Sequence, residues 1–132
     1  MRNFLDGIPL EGAIFGRNKD EAYTLMLNSI GCGPFDGGCL IVAYALQVRL
    51  GGEICVLTRK DGSADHAVLR LGKLFFDADG MASEDEILQR FNENEQASCV
   101  GIREYDCTRD LPDAARMPEL TWELCRLITI GG

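Results

Sequence analysis

The sequence predicts an α+β domain in which a central buried helix packs on a small antiparallel sheet. Three observations carry this. From Cys39 to Leu50 the residues are apolar on nearly every side of a helical projection, the mark of a helix enclosed by protein. Just beyond it, from Glu53 to Asp77, short apolar runs are separated by polar or glycine-containing turns, as in strands joined by tight connections. Two further helical patterns then flank one more strand-like run.

Taken in chain order, Asn18 to Ile30 reads as a helix, with Asn18 or Asp20 as its cap and Ala22, Leu25, Met26 and Ile30 on one face. Gly31 to Gly38 is dense in turn formers. The Cys39–Leu50 helix follows and ends at Gly51-Gly52, where glycine can take the left-handed conformation. Glu53–Thr58 is the first strand, Arg59–Ser63 a polar turn and Asp65–Leu71 the second strand. Gly72-Lys73 suits a type II′ hairpin turn into a third strand, Leu74–Asp77. Asp79-Gly80 breaks the chain, and Ser83-Glu84-Asp85-Glu86 is a capping box opening a helix to about Phe91. Cys99–Asp106 alternates as a fourth strand. Pro112 and Pro118 punctuate a loop, and Pro118–Ile128 reads as an amphipathic helix with Trp122, Leu124, Leu127 and Ile128 as core residues.

The chain has 132 residues, 46% of them hydrophobic, which is enough for one core and one domain, residues 1–132. Its formal charge is −8 and its 13 basic residues are scattered, so nucleic acid is not an expected partner. No apolar run reaches a membrane span, and the start Met1-Arg2-Asn3-Phe4-Leu5-Asp6-Gly7 meets a carboxylate and a glycine before any signal-peptide core. A cytoplasmic location without membrane partners is therefore expected. The same reading favours free thiols over a disulfide framework for the six cysteines. Cys55 and Cys125 lie inside apolar runs, as buried thiols do. No Cys-x-x-Cys pair occurs, so a metal would have to gather Cys32, Cys39 and His66, and neither metal nor cofactor is expected.

Cys39 differs from the other cysteines in its place. It opens the buried helix behind Asp36-Gly37-Gly38, where unsatisfied N–H groups and the positive helix end favour a thiolate. The two glycines leave room for an incoming carbonyl, and the N–H groups of Gly38 and Cys39 are candidate oxyanion donors. His66 is the single histidine and opens an apolar strand. With a two-residue turn at Gly72-Lys73, His66 falls opposite Asp79 and diagonal to Asp77, all three on one face. Either carboxylate can then orient the imidazole as the third member of a Cys-His-Asp triad. Asp77 ends an unbroken strand, whereas Asp79 precedes a glycine and suits a turn.

The strings Gly37-Gly38-Cys39-Leu40-Ile41-Val42-Ala43-Tyr44-Ala45-Leu46, Asp65-His66-Ala67-Val68 and Phe75-Phe76-Asp77-Ala78-Asp79-Gly80 together resemble the papain-like superfamily, and most nearly its transglutaminase-like branch. The resemblance spans residues 36 to 92. It implies a papain-like minimal core, Cys39 as nucleophile, His66 as base and Asp77 as the preferred acid. It also implies a peptide, protein or small amide as substrate of a cysteine peptidase, amidase, deamidase or transglutaminase-like reaction. The glutamine such peptidases carry before the cysteine has no counterpart in Gly31–Phe35, leaving backbone donors or Asn28 for the oxyanion. The alternative is a non-catalytic binding or inhibitory protein on the same fold, such as mobile elements and phages carry.

Overall fold

Residues 12–35, 37–110 and 117–130 are described by the structure, a computed structural model. The segment Met1–Gly7, Asp36 and Pro112, invoked above, lie outside the described residues. In chain order the elements are α1 (Lys19–Ile30), α2 (Cys39–Leu50), β1 (Glu53–Thr58), β2 (Ala64–Leu71), β3 (Leu74–Asp77), β4 (Gly80–Ala82), α3 (Glu84–Glu95), β5 (Gly101–Glu104) and α4 (Pro118–Leu127). The class is α+β. The strands form one antiparallel sheet in the order β4-β3-β2-β1-β5.

Strand alternation divides the core in two. Ile54, Val56, Ala67, Leu69 and Phe76 face the layer of α1, α2 and α4. Cys55, Leu57, Val68, Phe75 and Ala82 face Ile87 and Phe91 of α3. Helix α2 is held between the sheet and α4, which is why seven of its twelve residues are buried. Burial of each large side chain there is worth about 1.5–3 kcal/mol.

The hairpin register follows the sequence pattern: Leu71 pairs with Leu74 and Leu69 with Phe76. Gly72 has φ +64° and Lys73 is not among the residues of positive φ, as a type II′ turn requires. Ser83 and Glu86 form the capping box in both directions. Among the described residues no helix is long and apolar enough to cross a membrane.

Several boundaries depart from the sequence pattern. Asn18 does not cap α1 with its side chain; its amide donates to Leu127 O at 3.1 Å and ties α1 to the end of α4. Asp79-Gly80 does reverse the chain, but Gly80–Ala82 pairs with β3 as a further strand. Helix α3 runs four residues past Phe91. Its polar end carries no apolar period, yet Asn92 bonds both backbone groups of Cys99, at 2.8 and 2.9 Å. Trp122 is not a core residue: it is 61% exposed, while Leu124, Leu127 and Ile128 are buried. A β-bulge between Leu57 and Thr58 pairs Leu57 with His66 and Thr58 with Ala64, leaving Asp65 as the extra residue. Bulges of this kind re-aim a side chain, and Asp65 meets Arg59 at 2.8 Å and the Cys99 thiol at 3.7 Å.

Candidate active site

The thiol of Cys39 and the ring of His66 come together where β3 leaves β2. Residues flanking a two-residue hairpin exchange both backbone bonds, so Leu71, Leu69 and Ala67 of β2 point their N–H groups toward β3. The ladder stops at Leu69–Phe76. Ala78 O, which would have met Ala67, accepts from Ile14 N–H at 3.3 Å. The Ala67 N–H donates instead to Cys39 Sγ at 3.4 Å. A thiol from the α2 side of the sheet thus reaches the gap beside His66, whose ring belongs to the α3 side.

His66 is 1% exposed and Asp77 3% exposed, and the imidazole Nε2 lies 3.0 Å from Asp77 Oδ2. Nε2 is thereby committed to Asp77, and the Cys39 thiol lies near enough to interact electrostatically with the same ring. The ring is held flat between two phenyls, Phe35 at 5.0 Å and Phe91 at 4.5 Å between centroids. Those phenyls, with Arg59, Asp65, Gln96 and Ser98, also line a cleft of about 400 Å³.

The electrostatics favour an ion pair. Burial pushes the Cys39 thiol up. The hydrogen bond and charge of His66, with the N–H groups of Ala67 and Leu40, outweigh burial and hold it below its ordinary value. Burial by itself would lower His66; its bonds to Asp77 and Cys39 raise it instead to about 9. Asp77 is pushed up by burial and brought below the carboxylate range by His66, Arg90 and the Asp79 N–H.

Asp79, the alternative triad acid, is not the carboxylate on the imidazole. Its Oδ1 accepts from Gly12 N–H at 2.9 Å, and its own N–H donates to Asp77 Oδ1 at 2.9 Å. It anchors the chain before α1. Asp79→Ala is accordingly expected to lower stability by about 1–2 kcal/mol, read by urea unfolding, and to leave the pH dependence of Cys39 alkylation in place.

Gly38 is corrected as an oxyanion donor. Its N–H is already spent on Gly33 O at 2.9 Å. The glycines do not open space for a carbonyl either. A Cβ on Gly38 would meet Met26 Cε at 2.3 Å and Gly33 O at 2.7 Å, and one on Gly37 would meet Cys32 Sγ at 2.9 Å. Both are glycine so that the loop can close on α1. Asn28 is exposed on α1. Cys39 N–H, at the first helical position, is by geometry without an intrahelical acceptor and remains the backbone candidate.

Arg90 was not singled out by the sequence reading. Its Nη2 donates to Asp77 Oδ1 at 2.8 Å and to Gly80 O at 3.0 Å, and its side chain is 10% exposed. The available signal is a cation on the inner stripe of α3, between Ile87 and Phe91. Phe35, a lone aromatic in a glycine-dense loop, carries a comparable one. Among the described residues all six cysteines are free thiols, and no group of three or more His, Cys, Asp or Glu is arranged to hold a metal. Comparison of the chain with protein-family models, curated proteins and solved structures gave no match.

Proposed function

We propose that this protein is a thiol acyl-transfer enzyme in which Cys39 is the nucleophile, His66 the acid and base, and Asp77 the group that orients His66. The observation that carries this reading is the continuous buried chain Cys39–His66–Asp77, in which the thiol is favoured as thiolate against its own burial. The order and setting of the three residues along the chain, similar to the papain-like superfamily, support it independently. The substrate class is an amide or ester carbonyl of a peptide, a protein or a small molecule.

The Cys39 thiolate attacks the carbonyl carbon, forming the C–S bond as the carbonyl electrons move to oxygen. The Cys39 N–H donates to that oxyanion. Collapse breaks the bond to the leaving amine or alcohol, which takes the proton from His66. Water or an amine then attacks the thioester, passing its proton to His66, and the C–S bond breaks to return the thiolate. Asp77 holds the ring by Nε2 throughout and stabilises its cationic form.

Alkylation of the protein by iodoacetamide, followed site by site by mass spectrometry, tests the reading. Cys39 is expected to react faster at neutral pH than exposed Cys107, because the charge of His66 and the N–H groups of Ala67 and Leu40 hold its thiol below the ordinary value. Acyl transfer, which also needs the His66 proton, is expected to fall as pH rises through about 9. Slower labelling of Cys39 than of Cys107 across pH 6 to 8 would overturn the nucleophile assignment.

One observation favours a second reading, a binding or inhibitory protein: the imidazole is 1% exposed and closed between two phenyls. Under it, partner binding survives Cys39→Ser unchanged and Cys39 is not alkylated preferentially.

A further inference from the structure

Arg90 lies one bond beyond the proposed triad, and three features of its setting are not those of a simple structural cation. It spans two acceptors, Asp77 Oδ1 at 2.8 Å and Gly80 O at 3.0 Å, so it fixes the carboxylate against the turn into β4. It does so from the apolar stripe of α3, beside Ile87 and next to Phe91, whose ring covers His66. And its Nε is buried with no hydrogen-bond partner among the described residues. A buried guanidinium with an unpaired donor is a poor way to hold a helix, since an apolar side chain of similar reach would seat α3 without that desolvation. What a cation adds to its bond with Asp77, and a neutral donor such as the Asp79 N–H does not, is a field at His66.

We infer that Arg90 is a positioning residue of the proposed reaction: through Asp77 it orients the imidazole and limits how tightly His66 holds its proton. The inference rests on the triad reading for its catalytic meaning, but its physical content is measurable without any substrate. Asp77 is shared between two cations. Its Oδ2 faces His66 and its Oδ1 faces Arg90 and the Asp79 N–H. An unshared carboxylate would bind the imidazolium more strongly and make it a weaker acid, slower to give its proton to the leaving group. Arg90 moderates that pull by like-charge repulsion across the carboxylate, while its two bonds keep Oδ2 aimed at the ring.

The charged and titratable groups facing His66 are few. Cys39 comes from α2, Asp77 from β3, and Arg90 from α3 by way of Asp77. Phe35 and Phe91 are neutral. In β2 itself, Asp65 is neutralised by Arg59 at 2.8 Å, and burial with Asp65 pushes the Cys99 thiol up to about 11, so it stays uncharged.

His66 is the single histidine, so its ring gives one set of imidazole resonances and one titration by NMR in the full chain. In Arg90→Gln the midpoint of that titration is expected to rise by roughly 1–2 pH units, from loss of a cation a few ångströms beyond the carboxylate. In Arg90→Lys, which keeps the charge and loses the fork, it is expected to stay close to wild type. A purely structural arginine would lower stability in both variants and leave both midpoints together. An unmoved or lowered midpoint in Arg90→Gln overturns the proposal. Should that variant not fold, the wild-type guanidinium decides: its resonances are expected to titrate with the His66 midpoint, and their indifference to it overturns the proposal equally. A raised midpoint in a protein whose Cys39 is not preferentially alkylated would uphold the role of Arg90 and count against the enzyme reading alone.

Discussion

His66→Ala is expected to slow iodoacetamide alkylation of Cys39 at pH 7 by about 10-fold, as the thiolate loses its charged partner. A thiol at its free value near 8.5 is only a few per cent ionised at neutral pH, and Cys39 would then be left with burial, which pushes it higher still. The remaining N–H donors, Ala67 and Leu40, are neutral and offset only part of that burial. Substrate turnover should fall further, by about 10⁴-fold or more, because the leaving group loses its proton donor as well. The fold should persist, since Asp77 keeps its bonds to Arg90 and to the Asp79 N–H. Site-resolved labelling alongside the urea midpoint separates these outcomes. Alkylation of Cys39 at the wild-type rate in a folded His66→Ala protein would remove the imidazole from the chemistry.

Asp77→Ala should be the most damaging single change to stability, at about 3–5 kcal/mol. Asp77 is 3% exposed and accepts from the Arg90 guanidinium and the Asp79 N–H while facing the His66 ring. Removing it leaves the buried Arg90 without its counter-charge and the His66 ring with Cys39 as its remaining charged partner. Asp77→Asn keeps the shape and removes the charge, and turnover is expected to drop by about 10⁴-fold through an imidazole in the wrong protonation state. The sign of the pH dependence follows from the shifts. His66 is raised from 6.5 to about 9, so its stabilisation is complete below pH 6.5 and lost as pH rises through about 9. Asp77 is lowered from 3.8, so its stabilisation is complete above that value and lost as pH falls through its lower folded value. The stability gap between wild type and Asp77→Asn should therefore be widest between pH 3.8 and 6.5 and narrow toward pH 9, where the Asp77–Arg90 pair still remains, measured by urea unfolding across pH. A gap constant from pH 4 to 9 would mean that the two groups do not share a proton-linked bond.

Much of the frame was legible before any coordinates, and for local reasons. Helix α2 announced itself because twelve consecutive residues are nearly all apolar, and its ends because glycine stands at both. The hairpin register was readable from Gly72-Lys73, since a two-residue turn fixes every pair behind it. That register alone put His66, Asp77 and Asp79 on one face. The choice between the two carboxylates was not local. Asp79 is taken by Gly12, 67 residues away along the chain, and no spacing rule announces such a partner. Gly38 was misread for the same reason: its N–H looked free at a helix start, but the loop closes back and Gly33 O claims it. Arg90 and the two phenyls were overlooked because a cation or an aromatic on a helix stripe has many ordinary uses.

The amino-acid order by itself determined the elements other than β4, the pairing of β2 with β3 and the candidate triad, because periodicity and turn chemistry act between near neighbours. Only the tertiary structure decided that the β2–β3 ladder breaks at Ala67 and lets the Cys39 sulfur in, that Asp77 holds the ring while Asp79 holds the chain, and that Arg90 stands behind them. These depend on which buried polar group finds which partner once water is excluded, and that competition is settled by the packing of segments far apart in the chain.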